Sequence, residues 1–187
     1  MEAVAPVGVT VATLVLALRF AIPDGWREEV TPHERAAAEM VDGREVAGMA
    51  VAVVPTRTVA SNWSVLTSQL RTGLQLGARG TPVKDGPRGT VDVGAQAVRW
   101  VSFYAGDAAA VVYVVPGGAR TGLVTFTCPR AELARYQPLF EATIKQTTGV
   151  AMAEPEERTD LGPFAIGGGV LAFLLVMYLW IKRRSTG

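Results

Sequence analysis

The rhythm of apolar and polar residues changes along the chain, and each rhythm predicts a different element. Val4 to Leu18 (VAPVGVTVATLVLAL) is apolar and β-branched. It reads either as a strand running into Phe20 or as the apolar core of an export signal, with Val15 and Ala17 before the cut. No Lys or Arg precedes Arg19 and Glu2 is acidic, which favours the strand. Phe20 to Trp26 (FAIPDGW) is an extended run ended by a Pro-Asp-Gly turn. After a polar stretch carrying His33, Val46 to Val54 (VAGMAVAVV) is apolar at consecutive positions, the pattern of a strand buried on both faces, and Pro55 stops it. Trp63, Leu66, Leu70 and Leu74 then follow a 3.6-residue period, with Ser61 or Asn62 placed to cap a helix and Gly77 placed to end it.

Ala78 to Gly89 (ARGTPVKDGPRG) has the composition of a loop, and its cations Arg79, Lys84 and Arg88 make it a candidate contact loop, although cations on a polar loop are usually just solvated. Val91 to Ala97, Val98 to Tyr104, Ala109 to Val115 and Leu123 to Thr127 are separated by turn residues, including Gly106-Asp107 and Pro116-Gly117-Gly118, and read as an antiparallel meander. Cys128-Pro129 opens a last helix whose face is Leu133, Tyr136, Phe140 and Ile144, and Pro138 inside it predicts a kink or two shorter helices meeting near Tyr136. Strands, helix, meander and helix in that order predict an α+β fold, a mainly antiparallel twisted sheet flanked by helices.

The C-terminal rhythm is different again. Phe164 to Ile181 (FAIGGGVLAFLLVMYLWI) carries no charge over roughly 18 positions, about 27 Å as a helix against a hydrocarbon core of ~30 Å. Phe164, Leu171, Phe173, Leu174, Tyr178, Trp180 and Ile181 supply its apolar and interfacial side chains, and Lys182, Arg183 and Arg184 follow as a stop signal. These residues predict a membrane anchor rather than a core helix. Ala165, Gly168, Gly169 and Ala172 share one helical face at small-residue spacing and form a candidate helix-pairing face for a homo- or hetero-oligomer. Ala153 to Pro163 (AEPEERTDLGP) is acidic and carries Pro and Gly, as a solvated linker does. The expected organisation is therefore an apolar N-terminal segment at 1–18, a folded domain at 19–150, a linker at 151–163, a transmembrane helix at 164–181 and a basic tail at 182–187.

Composition narrows the chemistry. The 187 residues are 49% hydrophobic and 19% charged with a net charge of +1, too balanced for a dedicated nucleic-acid binder. With Cys128 the sole cysteine and His33 the sole histidine, an intrachain disulfide and a Cys/His zinc cage are excluded. No phosphate-binding glycine motif follows a strand, and Gly167 to Gly169 lie inside the anchor. His33 beside Glu34 has no nucleophile elbow to serve, and Glu28-Glu29 and Glu156-Glu157 are adjacent rather than on one face. Cys128 ahead of a helix start is open to activation by the helix dipole, and equally to a plain capping role. Neither catalytic, cofactor-binding nor metal-ligating residues are predicted.

The FAIPDGW opening, the long middle helix, the meander and a closing helix of the form Tyr136…Phe140…Ile144 resemble the PsbP-like and DcrB-like domains, an α/β/α sandwich superfamily. The resemblance covers about Phe20 to Thr148. It implies a non-enzymatic accessory module, since the superfamily includes photosystem extrinsic subunits, a nuclear-import factor that binds a small GTPase, and bacterial envelope lipoproteins. No binding residue carries over from it. This chain departs from the lipoproteins in lacking a cysteine near its start and in carrying the C-terminal apolar helix.

The expectation is thus a membrane-anchored accessory module with the lipid bilayer and a protein as its partners. The alternative is a small-ligand-binding protein or an enzyme using a cavity between helix and sheet. Two rules oppose each other on topology. Basic residues after the anchor favour a cytoplasmic tail and an external domain, whereas a domain made before its sole anchor and without a convincing signal stays in the cytoplasm. The reading leans to a tail-anchored protein with a cytoplasmic domain.

Overall fold

A computed structural model describes residues 18–151 apart from 32–33, 55–62, 79 and 119. The elements are β1 (Arg27–Thr31), β2 (Glu34–Val41), β3 (Arg44–Val54), α1 (Trp63–Gly77), β4 (Val83–Val93), β5 (Gln96–Ala105), β6 (Ala108–Gly117), β7 (Arg120–Pro129) and α2 (Leu133–Lys145), the last preceded by a short 3-10 turn at Arg130–Glu132. The strands form a seven-stranded sheet in the order β1-β2-β3-β7-β6-β5-β4, antiparallel at every pairing. The meander β4 to β7 occupies one half and the β1–β3 ribbon the other, joined where β3 pairs with β7.

One helix covers each face. Strand alternation sends Ala110, Val112 and Val114 of β6 into a cluster with Leu66, Leu70 and Leu74 of α1, and sends Val111, Tyr113 and Val115 into a cluster with Tyr136, Phe140 and Ile144 of α2. This accounts for the continuous apolar runs of β3, β6 and β7, which are buried on both faces between two helices. The heptad-like apolar stripe expected of α1 is the stripe that packs, with Leu70 at 0% exposure and Trp63 half-buried at the rim.

Several sequence expectations change. Arg27 to Val41, read as a polar stretch, is the antiparallel pair β1–β2, with Arg27 opposite Ala38 and Glu28 opposite Ala37. Phe20 to Trp26 makes the expected Asp24-Gly25 turn, with Gly25 at φ +80°, but no strand. The one ladder contact near it is the bridge of Arg19 to Thr148. Most of the expected loop at 78–89 is β4, an edge strand whose register shifts between Asp85 and Arg88. Pro and Gly are tolerated there because an edge strand leaves one row of backbone groups unpaired, and a bulge carrying Pro blunts that edge against other strands. Pro116-Gly117 belongs to β6, and the turn is displaced to Gly118. Cys128-Pro129 ends β7 instead of opening the helix, and α2 runs unbroken through Pro138. Proline's missing N–H would have bonded the carbonyl of Ala134, an exposed residue with access to water, so the helix continues at modest cost. The 1–17 segment, His33, Pro55, the capping pair Ser61 and Asn62, and the linker, anchor and basic tail from 152 onward lie outside the described residues.

Candidate interaction surface beside α2

Two of the three cations of the predicted contact loop can be placed, and they do not share a face. Lys84 and Arg88 are residues of β4, where Lys84 pairs with Tyr104 and Arg88 with Val101. Tyr104 packs on the α2 cluster and Val101 in the α1 cluster, so the two cations lie on opposite faces of the sheet. Arg79 lies outside the described residues, as do all the predicted anchor, stop and helix-pairing residues. Cys128 is fully buried within β7, which places it inside the α2 core.

A different group of residues comes together at the meander edge. Trp100 and Tyr104, four apart on β5, project on the α2 face. Two glycines of β4 make room for them. A Cβ on Gly89 would stand 3.0 Å from the Trp100 ring, and one on Gly86 would meet Ser102 Oγ and come within 2.7 Å of the Tyr104 ring. The rings therefore lie across the edge strand, and both stay half-exposed. The bulge at Gly86-Pro87 is held from beneath by Ser102, whose hydroxyl donates to the Pro87 carbonyl at 2.7 Å.

Cationic and polar groups frame this aromatic shelf. The Arg130 guanidinium sits 4.4 Å from the Tyr104 ring centroid, with its 3-10 turn tied to the sheet by the Arg130 N–H donating to the Asp107 carbonyl at 2.7 Å. Trp100 abuts Tyr113 at 6.3 Å between centroids. Gln137 on α2 donates to the Tyr113 hydroxyl at 3.2 Å and to Glu141 Oε1 at 3.0 Å. Burial, with Glu141 nearby adding to it, holds the Tyr113 hydroxyl in its neutral form well above the usual tyrosine range. Further along α2, Tyr136 donates to Glu39 Oε2 of β2 at 2.5 Å, and burial followed by that bond pushes its pKa up to about 12.

The arrangement has the chemistry of a recognition surface. Trp, Tyr and Arg are the side chains that dominate protein interfaces, because they bring large apolar area with few rotatable bonds and keep a polar tip. The shelf was not legible in the sequence. Trp100 and Tyr104 were visible in VRWVSFY, but the glycines that seat them belong to a segment with loop composition. No group of three or more His, Cys, Asp or Glu suited to a metal ion occurs among the described residues, and none of their helices is long and apolar enough to cross a membrane.

No family model matches the chain, and no curated protein matches it in sequence. Solved structures do. The solution structure of cyanobacterial PsbP (CyanoP) from Synechocystis sp. PCC 6803 superposes with a TM-score of 0.57 at 10% identity, over 79% of this chain and 98% of that one. A protein of unknown function from Pseudomonas aeruginosa, PA94, gives 0.44 at 14% identity, over 75% and 99%. The Saccharomyces cerevisiae Ran-binding protein Mog1p gives 0.47 at 14% identity, over 72% and 90%. At these identities the likeness concerns the fold: the domain has a PsbP-like fold, a mainly antiparallel sheet with two helices.

Proposed function

We propose that the chain is a membrane-anchored accessory module that binds a protein partner, with Trp100, Tyr104 and Arg130 as the centre of its binding surface. The observation that carries this is the half-exposed aromatic shelf with a guanidinium stacked on it, held rigidly by β5 and the β4 bulge. Such a shelf supplies binding area without the entropic cost of ordering a loop. The apolar run Phe164–Ile181 and the basic residues after it support the anchor, which raises the concentration of the domain near membrane-bound partners. The domain is read as cytoplasmic on the order of synthesis, because it is complete before the anchor emerges.

Site-specific photocrosslinking in native membranes tests the surface. A crosslinker at Tyr104 should give a discrete protein adduct that Arg130→Glu abolishes, while one at Leu76, exposed on α1, should not. Equal labelling from both positions, or none from Tyr104, overturns the proposal. Protease digestion of sealed right-side-out vesicles separately tests the topology, and a domain cut without breaking the membrane would place it outside.

A further inference from the structure

The described chain enters at Leu18 and leaves at Ala151 on the same pole of the sandwich. The Arg19 N–H donates to the Thr148 carbonyl at 3.1 Å and the Thr148 N–H returns to Arg19 at 3.0 Å. Three residues on, the Ala151 N–H donates to the Pro116 carbonyl at 3.0 Å and Ala151 accepts from the Gly118 N–H at 2.7 Å. The entry segment, the β6–β7 turn and the exit segment are thereby tied together.

That pole is basic. Arg19, Arg120 beside the β6–β7 turn and Lys145 in the last turn of α2 are all exposed there. Arg99 of β5, opposite Val114, lies on the α1 side of the same end, with its guanidinium 5.4 Å from the Trp63 ring centroid. Among the described residues none of the four is seen in an ion pair, and the pairs Arg71–Asp85 and Arg135–Glu132 lie elsewhere. Two described acids neighbour them: Asp92, one diagonal step from Arg99 on the β4–β5 ladder, and Glu141, one helical turn before Lys145 on α2 and already accepting from Gln137. The opposite pole is mixed: Asp42, Asp107 and Glu132 are interspersed with Arg44, Arg130 and Arg135.

We propose that this basic pole rests on an anionic lipid surface, so that Arg19, Arg120, Lys145 and Arg99 face the headgroups and the aromatic shelf is presented sideways along the membrane. The proposal rests on the reading of Phe164–Ile181 as an anchor. Residues 152–163 join the pole to that anchor, and a flexible segment of this length has a root-mean-square reach of about 20 Å. Tethering alone therefore keeps this pole nearest the bilayer, and clustered Lys and Arg near an anionic surface add attraction that falls off within a Debye length. The competing occupant is the linker itself, which begins at the pole with Glu154, Glu156, Glu157 and Asp160 against Arg158.

The test uses the full chain reconstituted into vesicles of phosphatidylcholine alone or with about 30% phosphatidylglycerol. A fluorophore on Ala95→Cys, in the exposed β4–β5 turn at this pole, reads proximity to a headgroup quencher, and the buried Cys128 should not label. Quenching should be at least about twofold greater with the anionic lipid and should fall to the zwitterionic level when salt is raised from about 50 to about 500 mM. Combined Arg19→Glu, Arg120→Glu and Lys145→Glu, all at exposed positions, should abolish the lipid dependence. Quenching that is the same in both lipids overturns the proposal. So does quenching that answers only to neutralising the four linker acids, which would assign the pole to the linker. Extraction of the chain by alkaline carbonate would instead refute the anchor. In that case co-sedimentation with the same vesicles still scores the pole, which must then bind the anionic ones in a manner lost in the triple variant.

Discussion

The two faces of the sheet are built from different materials. Under α2 the core is aromatic: Phe140 stacks on Phe126 at 4.4 Å and on Tyr136 at 5.7 Å, while Tyr113 and Trp26 meet Phe126 edge-on at 5.8 and 6.4 Å. Under α1 it is mostly aliphatic, with Leu66, Leu70 and Leu74 against Val101, Val112, Val114 and Leu123, and Phe103 as the buried aromatic. The tyrosine hydroxyls on the α2 side have Glu39 and Gln137 as partners, whereas Thr125 Oγ1, buried on the α1 face, has none. Aromatic stacking and directed hydrogen bonds fix one arrangement of neighbours, while aliphatic packing accepts several of similar energy. The α2 face is accordingly the one that can hold the Trp100–Tyr104 shelf in a defined geometry, and the α1 face serves mainly to exclude water.

Truncation at the centre of each face should separate them most clearly. Phe140 is fully buried between two other rings, so Phe140→Ala should destabilise the domain by about 3–5 kcal/mol, measured by denaturant unfolding. Leu70→Ala removes fewer atoms from an aliphatic layer that can partly close around the gap, and its cost should fall in the lower part of the ~2–5 kcal/mol range for such changes. A larger cost for Leu70→Ala would reverse the ranking of the two faces. A smaller step is Glu39→Ala, which strands the Tyr136 hydroxyl and should cost about 1–3 kcal/mol, while Glu39→Ala in a Tyr136→Phe background should cost less because no donor is left behind.

How far the sequence revealed this architecture depended on whether a segment's structure is set locally. The α1 stripe, the doubly buried β3 and the repeated turns of the meander carry their own signals, namely a 3.6 period, continuous apolar runs and turn glycines such as that of Gly106-Asp107. Strands β1 and β2 carry none: REEVT and ERAAAEMV are charged and alanine-rich, compositions that favour helix, and they are strands because pairing to β3 supplies their backbone bonds. The β4 edge failed for the converse reason. Its Gly and Pro signal a loop, yet Gly86 and Gly89 are needed to seat Tyr104 and Trp100, a requirement visible only once β5 is beside them.

The α2 face also has a pH signature. Tyr136 ionises near pH 10 in the unfolded chain and at about 12 in the folded one, and the buried Tyr113 is raised as well. Above pH 10 the unfolded state therefore binds fewer protons than the folded state, so this part of the stability is complete below pH 10 and is lost as pH rises toward 12. Denaturation midpoints recorded across that window should decline, and the decline should flatten in Tyr113→Phe combined with Tyr136→Phe. An unchanged slope would mean that the alkaline sensitivity originates away from the α2 face.

The smallest effect expected lies on the other face and has the opposite sign. Thr125 is 1% exposed in β7, between Ala50 of β3 and Val112 of β6, and its hydroxyl meets no acceptor or donor. Burying a hydroxyl without a partner costs free energy that a methyl group does not incur, and valine keeps the β-branched shape that the strand accommodates. Thr125→Val should therefore stabilise the domain by up to about 1 kcal/mol, read as a higher denaturation midpoint at unchanged slope. The same exchange at Thr127, whose hydroxyl donates to the Gly48 carbonyl at 3.4 Å, should gain less. If Thr125→Val were destabilising, the hydroxyl would have a partner in solution, and the aliphatic face would prove as specifically bonded as the aromatic one.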